Sequence, residues 1–300
     1  MRRRGPLPLL LGVAVAVVVA GCGAPRGTDG NLVDGWALPP APSYVAPRAG
    51  QCLNDPGFTA FERPDRASAT TVDCAREHTV EVVATGELRD PPVWDSDATR
   101  TVYAACDASA SAYVGGDWHT GRLLPYLSVP SEQGWRGGVR AWVCGLAEAA
   151  DDLFLPKQTS EPLHGRLREL ALGCVDLDGG DLTADGFYRS VDAVLPVPCA
   201  QAHDTEFVGV WAAPAGAFPA DAQALNATVS KACFTQVAAF MGVTELQLYQ
   251  RKDVYTFWDG LTAAQWRLGD RVAHCFLNVS TNTPLRTSLR GLGTKPLPQG

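Results

Sequence analysis

The most constraining feature of this chain is the distribution of its nine cysteines. One of them, Cys22, stands alone at the end of a hydrophobic leader, and the other eight fall into two sets of four. The gaps are 22, 32 and 38 residues in the first set, and 25, 34 and 42 in the second. An even set repeated at similar spacing predicts a disulfide framework built twice, in an oxidising compartment. The two sets are Cys52, Cys74, Cys106 and Cys144, then Cys174, Cys199, Cys233 and Cys275.

The leader is typical of an export signal. A basic segment, Arg2 to Arg4, precedes an apolar run of 14 residues from Leu7 to Ala20. About 20 apolar residues are needed to span a bilayer, so the run fits a signal peptide over residues 1–21 instead. It ends in Val19-Ala20-Gly21-Cys22, which resembles the lipobox of bacterial lipoproteins. The resemblance implies a diacylglyceryl group on Cys22 and further acylation, such as palmitate, on the new N-terminus. An ordinary secretory signal with an incidental cysteine is the alternative.

The segment after the leader predicts a tether and an acidic folded part. Residues 22–48 are rich in Gly, Pro and Ala and show no helical or strand periodicity, as in a flexible linker. The formal charge of −7 becomes −10 once the three leader arginines are removed. An acidic surface makes nucleic acid a poor partner and disfavours adhesion to anionic lipid. We therefore expect the lipid to be the membrane contact and the protein to lie on the extracytoplasmic face of the cell membrane.

The two cysteine sets belong to a longer internal repeat, which predicts two domains over residues 49–170 and 171–300. A Cys-x-x-x-His-x-x-Glu element occurs in both halves, and a Trp and an Arg precede the fourth cysteine by nine and four residues in both. Near the two ends, Leu163–Arg168 resembles Leu285–Arg290. The repeated positions are Cys74, His78, Glu81, Trp135, Arg140 and Cys144, then Cys199, His203, Glu206, Trp266, Arg271 and Cys275.

Periodicity predicts one long helix and several strands in each half. Apolar spacing predicts helices over Asp97–Val114 and Asp221–Met241, each ended by a glycine, and Ser131 and Thr262 suit N-caps of short helical turns. The fold class is therefore α+β: two tandem repeats, each a small antiparallel sheet with one packed helix and two disulfides. The predicted strands are Val80–Val83, Val139–Leu146, Glu206–Trp211 and Arg271–Val279.

The cysteine pairing is open from spacing alone, because four cysteines allow three connectivities. We favour first with second and third with fourth in each set. The third cysteine lies on the apolar stripe of the helix and the fourth inside an apolar strand, so packing of the two elements brings their sulfurs together. The predicted bridges are Cys52–Cys74, Cys106–Cys144, Cys174–Cys199 and Cys233–Cys275, with none between the halves.

The combined pattern resembles the actinobacterial septum-formation domain in two copies, over about Gly50–Arg168 and Leu172–Gly293. The carrying elements are Gly-x-Cys, Cys-x-x-x-His-x-x-Glu, a helix with a cysteine, Trp-x-x-x-x-Arg-x-x-x-Cys and a closing Leu-Arg. The resemblance implies an exported, membrane-associated, non-enzymatic module named for cell division, with an envelope or division protein as partner. The chain departs from the pattern at an insertion between Cys144 and Pro162, at Gly173, and at Glu77 and Ala202, where the family usually has proline.

The His-Glu pairs, His78 with Glu81 and His203 with Glu206, invite a metal interpretation that their spacing does not favour. Residues three apart on an extended segment face opposite sides, and no second close ligand pair follows. An exported cysteine is also more often oxidised than metallated. We therefore interpret both histidines as structural, with metal ligation as the alternative, and predict no metal and no cofactor.

No catalytic motif stands out. The chain has neither a Gly-x-Ser-x-Gly nor a His-Glu-x-x-His sequence, so no catalytic residue is predicted. Trp135 and Trp266 are either exposed recognition aromatics or, as we favour, buried anchors beside a disulfide. Four aspartates in a Gly-rich segment hint at calcium but lack the EF-hand pattern, so a solvated turn is expected. They are Asp176, Asp178, Asp181 and Asp185.

Three functional hypotheses follow from these patterns. The first is a lipid-anchored envelope interaction module linked to septum formation. The second is a small-ligand binding protein with its site between the repeats, which a deep apolar pocket at the junction would favour. The third is an enzyme, which a cleft holding an acid and a base with perturbed pKa values would favour.

Overall fold

The first half of the chain contains five strands and one long helix. The computed structural model describes residues 45–61, 69–94, 96–150, 155–188 and 191–298, so the signal peptide, Cys22 and most of the tether lie outside the described residues. A 3-10 turn, Trp118–Thr120, follows the long helix, and a short helix closes the half. The elements are β1 (Cys52–Asn54), β2 (Thr70–Val72), β3 (Val80–Glu87), α1 (Asp97–Val114), β4 (Leu123–Ser128), α2 (Glu132–Arg136), β5 (Ala141–Glu148) and α3 (Leu167–Leu170).

The second half repeats this order with two differences among the described residues: a short helix stands in place of the 3-10 turn, and no helix corresponds to α3. All strand pairs in both halves are antiparallel. The elements are β6 (Cys174–Asp178), β7 (Ala193–Val197), β8 (Thr205–Ala212), α4 (Ala222–Met241), α5 (Glu245–Gln250), β9 (Val254–Gly260), α6 (Ala263–Leu268) and β10 (Val272–Val279). The sheet orders are β2-β1-β3-β5-β4 and β7-β6-β8-β10-β9, so the strands correspond one for one. The predicted fold class is confirmed.

The helix boundaries follow from capping residues. The Ser96 hydroxyl accepts from the Thr99 amide to begin α1, and the Asp221 carboxylate accepts from two amides of the first turn of α4. Both helices end at a glycine in the left-handed region, Gly115 with φ 89° and Gly242 with φ 73°. The predicted helices are therefore confirmed to within one residue.

The strand predictions are correct in place and less so in length. The strand predicted to end at Val83 runs to Glu87, and the one predicted to begin at Val139 begins at Ala141. The second difference has a clear cause, because the Val139 amide donates to the Gly134 carbonyl at 2.9 Å and so completes the turn after α2. The predicted N-caps are confirmed: Ser131 accepts from Gly134, and Thr262 forms a capping box with Gln265.

Four disulfides, two in each half, fasten the fold in the pairing favoured from the sequence. Cys106–Cys144 joins α1 to β5, and Cys233–Cys275 joins α4 to β10. The other two tie the first strand of each half to the segment before β3 and before β8, respectively. The sequence separations run from 22 to 42 residues. On the chain-entropy account each bridge therefore contributes about 3–4 kcal/mol.

The closing segments correspond differently from the sequence prediction. His78 pairs with Thr159, and His203 pairs with Leu285, in isolated β-bridges. The Leu163 amide donates to Glu81, as the Leu289 amide does to Glu206. Leu163 is therefore the counterpart of Leu289, and its predicted match to Leu285 was wrong by four residues. The physical register is set by the backbone bridge and the buried glutamate rather than by the Leu-Arg resemblance.

Most of the core is separate in the two halves, with one exception. Leu268 of α6 is 1% exposed and packs among α1, β4 and β5 residues of the first half. The Arg100 side chain of α1 donates to the Arg267 carbonyl at 3.2 Å, also across the halves. The described residues belong to one compact unit, Tyr44–Gly300. The predicted domain boundary at residue 170 remains a proposal.

Candidate functional site

A pocket of about 250 Å³ opens where the two halves meet, and we call it the junction pocket. Its wall is mostly apolar. The first half contributes residues after α1 and on β4, and the second half contributes residues of β9, α6 and β10. Its polar lining includes His119, Arg122, Asp259, Gln265, Asp270 and His274.

The 3-10 turn after α1 places His119 at this pocket. Asp117 precedes the turn and its carboxylate accepts from the His119 amide at 3.1 Å. The Trp118 indole donates to Asp107 at 2.7 Å, and its ring stacks on the His119 ring with centroids 3.8 Å apart. The imidazole is therefore fixed from both its backbone and its face.

His119 is a buried cation surrounded by carboxylates. Its side chain contacts Asp117 through Nδ1 at 2.7 Å, while Nε2 lies 3.6 Å from Asp270 and 3.9 Å from Asp107. Burial disfavours the charge, but the hydrogen bond to Asp117 and the negative charges of Asp270 and Asp117 outweigh burial and raise the His119 pKa to about 9. In turn, the hydrogen bond to His119 lowers the Asp117 pKa. The Nε2 atom is buried without a hydrogen-bond partner among the described residues.

Asp270 connects the two halves through charge. Its side chain is 1% exposed and accepts from the Val272 amide at 3.0 Å. Burial and the nearby Asp270 carboxylate raise the Tyr103 pKa well above its usual value, so this phenol stays neutral. One carboxylate of the second half thus faces a cation and a phenol of the first half.

His274 is the second imidazole of the junction pocket and has the opposite protonation preference. Its Nε2 donates to the His119 carbonyl at 2.8 Å, so that nitrogen carries the proton. Burial lowers the His274 pKa, although Asp259, its cross-strand neighbour, opposes the shift. The junction pocket therefore holds a charged and a neutral imidazole side by side at neutral pH.

The rim of the junction pocket has a strained turn between β9 and α6. Gly260 and Leu261 both adopt positive φ, 97° and 54°. A Cβ at Gly260 would approach the Val272 carbonyl to 2.8 Å, so glycine is needed there. For Leu261 the left-handed conformation costs about 1–2 kcal/mol, and the burial of its side chain offsets this.

The predicted His-Glu pairs lie away from this pocket and fasten the closing segments. His78 contacts the Arg76 carbonyl through Nδ1 at 2.8 Å and Glu81 through Nε2 at 3.3 Å. The expectation that His78 and Glu81 face opposite sides was wrong, because His78 precedes β3 and is bridged to Thr159. Glu81 also accepts from the Tyr113 hydroxyl at 2.7 Å and the Leu163 amide at 2.9 Å.

The second half repeats this arrangement with different partners. His203 contacts the Gln201 carbonyl at 2.9 Å, and its Nε2 lies 4.0 Å from Glu206. Glu206 accepts from the Ser288 hydroxyl at 2.6 Å and from the Leu289 amide at 2.7 Å. Each buried glutamate therefore holds a backbone amide about 80 residues further along the chain.

The atoms that suggested a metal site already have other partners. Among the described residues, the one group close enough to share an ion is Cys52, His78 and Glu81. The Cys52 sulfur is bonded to Cys74, so it is no thiolate ligand.

The aspartate cluster is not a single loop as expected, because Asp176 and Asp178 lie within β6 while the other two follow that strand.

The two predicted tryptophans differ in their surroundings. Trp266 is 7% exposed and packs beside Cys233 and Cys275. Trp135 is partly buried against the cluster around the Cys106–Cys144 bridge. In both cases an arginine five residues later in the chain places its guanidinium above the indole ring. The distance from Cζ to the ring centroid is 3.8 Å for Trp135 and 5.2 Å for Trp266.

Sequence reasoning missed the residues that build the junction pocket. No motif or repeated element of the sequence pointed to His119, His274 or Asp270, which line this pocket. The available signal was a departure from the repeat, since Asp270 and His274 stand where the first half has Val139 and Val143. A polar residue replacing an apolar one in an otherwise matched register indicates a local role.

The comparisons with known proteins identify one family. A family model described as "Septum formation" matches residues 49–275, about three quarters of the chain. No curated protein and no solved structure gives a match. Within the described part of the chain, none of the helices is both long enough and apolar enough to span a bilayer.

Proposed function

Because the chain belongs to the septum formation family, we propose that it is an exported, lipid-anchored, non-enzymatic module of the cell envelope that acts in septum formation by binding a partner. The cystine framework carries the proposal. All eight cysteines of the described chain are paired, and such bridges persist in oxidising compartments. The leader ending in Cys22 supplies both the export route and the lipid site.

The chemistry of the junction pocket supports a binding role over a catalytic one. Its two imidazoles have perturbed pKa values, as an enzyme site would. However, His119 Nδ1 is bonded to Asp117 and His274 Nε2 to a carbonyl. Within the described chain no serine or threonine hydroxyl bonds to either ring, and the paired cysteines offer no thiol nucleophile.

The lipid anchor is tested at Cys22. Cys22→Ala should leave an unprocessed or soluble chain, because the substitution removes the thiol that takes the acyl group. Detergent partition of envelope fractions measures this, with metabolic labelling by a fatty acid as a second readout. Partition and labelling identical to those of the wild type would exclude the anchor.

A second candidate function, small-ligand binding in the junction pocket, is favoured by the pocket itself. It offers about 250 Å³ of mostly apolar space. Within the described chain, Arg122 and Asp259 form no salt bridge there, and His119 Nε2 lacks an acceptor. A small, largely apolar ligand carrying an acceptor for His119 would satisfy that nitrogen.

A substitution that fills the junction pocket distinguishes the two candidate functions. Ala264 lines it, whereas Ala263 next to it on α6 is exposed. Ala264→Phe should abolish a small-molecule adduct that native mass spectrometry detects on protein purified from its envelope, and Ala263→Phe should retain it. If wild-type protein carries no adduct but cross-links to an envelope protein in intact cells, the partner-binding function holds and the small-ligand function fails.

A further inference from the structure

We propose that a second cavity, lined by three arginines, binds a phosphate-bearing ligand. This arginine cavity has a volume of about 340 Å³. It is separate in its lining from the junction pocket and does not depend on the function proposed above. The residues that carry the argument are Arg100, Arg267, Arg271, Trp266, Phe218 and Gly216.

The internal repeat shows that Arg267 lacks the partner its counterpart has. Arg136 follows Trp135 as Arg267 follows Trp266. Arg136 forms a salt bridge at 2.5 Å with Glu132, four residues earlier on α2. The residue four before Arg267 is Ala263, and Arg267 forms no salt bridge within the described residues. Its exposed guanidinium is therefore available at the cavity.

Arg271 differs from its counterpart in the same way. Arg140 packs 3.8 Å above the Trp135 ring and donates from Nη1 to the Trp135 carbonyl at 2.7 Å. Arg271 lies 5.2 Å from the Trp266 ring centroid, and its Nε is buried without a hydrogen-bond partner in the described chain. A buried guanidinium donor without an acceptor is costly unless a ligand supplies one.

Arg100 adds a third guanidinium from the other half of the molecule. It donates to the Arg267 carbonyl at 3.2 Å, which holds it at the cavity. It also pairs with Asp97 at 2.6 Å, and that carboxylate is 97% exposed, so solvent weakens this pairing. Even with Arg100 paired to Asp97, Arg267 and Arg271 give the arginine cavity an excess of positive charge on a chain whose formal charge is −7.

Two aromatic rings form an apolar wall of the cavity. The Trp266 indole donates to the Gly216 carbonyl at 2.9 Å, which fixes the loop before α4. Phe218 from this loop is 39% exposed and stacks edge-on to Trp266, with ring centroids 5.7 Å apart. The apolar surface suits the organic part of a ligand whose anionic group faces the arginines.

The number of guanidinium N–H donors at the cavity favours a phosphate group over a carboxylate. Each guanidinium presents a planar set of N–H donors that matches two acceptor oxygens. A carboxylate offers two oxygens in one plane, whereas a phosphate group offers more oxygens arranged around phosphorus and can accept from guanidiniums that approach from several directions. The ligand is therefore a phosphate ester, either a soluble one or the headgroup of an anionic lipid.

The test uses the full chain in uncharged detergent micelles and calorimetric titration. The probes are inorganic pyrophosphate, succinate as a carboxylate control, and dihexanoyl phosphatidylglycerol. We expect pyrophosphate or the lipid to bind and Arg267→Gln to raise the Kd about tenfold, the loss expected for one charge-assisted hydrogen-bonded contact. Arg136→Gln, the matched change in the first half, should leave the Kd unchanged.

The outcomes separate clearly. Tighter binding of pyrophosphate identifies a soluble phosphate ligand, and tighter binding of the lipid identifies a headgroup; both support the proposal. It is overturned if neither phosphate probe binds, if succinate binds as tightly, or if Arg136→Gln weakens binding as much as Arg267→Gln does. Because Arg267 is exposed, its substitution should leave the melting temperature of the chain unchanged, which the same samples check.

Discussion

Single residues with displaced pKa values make the stability of this fold depend on pH. His119 faces Asp117, Asp107 and Asp270, and its pKa is raised to about 9. A raised pKa in the folded state adds stability below the unfolded pKa near 6.5 and loses it as the pH rises through the folded value. The junction should therefore weaken between about pH 6.5 and 9.

Replacing His119 should remove this dependence. In His119→Gln the free energy of unfolding should be lower than in wild type at pH 6, by roughly 2–3 kcal/mol. At pH 9.5 the two proteins should be nearly equal. Chemical denaturation at both pH values measures this, with His164→Gln at an exposed position as control. A parallel loss at the two pH values would mean that His119 acts by packing and not by charge.

Asp204 produces a similar loss at lower pH. Burial raises its pKa to about 7, helped by Asp176 and opposed by the Thr205 hydroxyl. The folded state then binds the proton more tightly than the unfolded state, so stability falls as the pH rises from about 4 to 7.

An uncharged replacement should therefore be favourable above that range. Asp204→Asn keeps an acceptor for the Leu177 amide and the Thr205 hydroxyl but cannot ionise. We expect it to stabilise the protein by roughly 1–3 kcal/mol at pH 8 and to have little effect at pH 4.5. Thermal unfolding of the variant and the wild type at the two pH values tests this expectation. A destabilised variant at pH 8 would show that Asp204 is ionised and well solvated.

At the scale of elements, the closing segment of each half depends on one buried glutamate. Glu81→Gln keeps the shape but leaves one acceptor oxygen where the carboxylate has two, so the side chain can no longer accept from both the Leu163 amide and the Tyr113 hydroxyl. The expected cost is about 1–3 kcal/mol, with faster hydrogen exchange at the Leu163 amide. Glu87→Gln, at the exposed end of β3, is the control. Unchanged exchange at Leu163 would show that the closing segment is held by its other contacts.

The elements that the sequence predicted well are those with local causes. Ser131 and Thr262 cap their helices, and Gly115 and Gly242 end theirs. Each of these helix ends is determined by hydrogen bonds and backbone angles within a few neighbouring residues. The register of the closing segments depended on contacts about 80 residues apart, such as Glu81 with Leu163. Local patterns contain no information about such contacts, which explains the four-residue error.

At the scale of the whole molecule, the second half should fold alone but with reduced stability. A fragment of residues 172–300 keeps its sheet, helix and both disulfides but exposes Leu268 and leaves Asp270 without His119. Leu268→Ala should cost the full chain about 2–5 kcal/mol and the fragment much less, because there the side chain is already exposed. Chemical denaturation of the full chain and the fragment, each with and without Leu268→Ala, measures the four free energies of unfolding.

Non-cooperative unfolding of the fragment would contradict this prediction. If the fragment, expressed in an oxidising compartment, unfolds without cooperativity, the two halves share one core and the proposed boundary at residue 170 is wrong. An equal cost of Leu268→Ala in fragment and full chain would show that Leu268 is buried within the second half itself.

The way the halves meet could not be predicted from the repeat, because it depends on what is not repeated. Leu268 inserts into the first half, and the residue at the same position of the repeat is Gly137, which has no side chain to insert. Asp270 likewise corresponds to Val139. The contact is heterologous, with unlike surfaces on its two sides, and such contacts can in principle extend head to tail into filaments. Here Gly137 gives the first half no side chain to insert, so the first half of one copy cannot make this contact with a second copy.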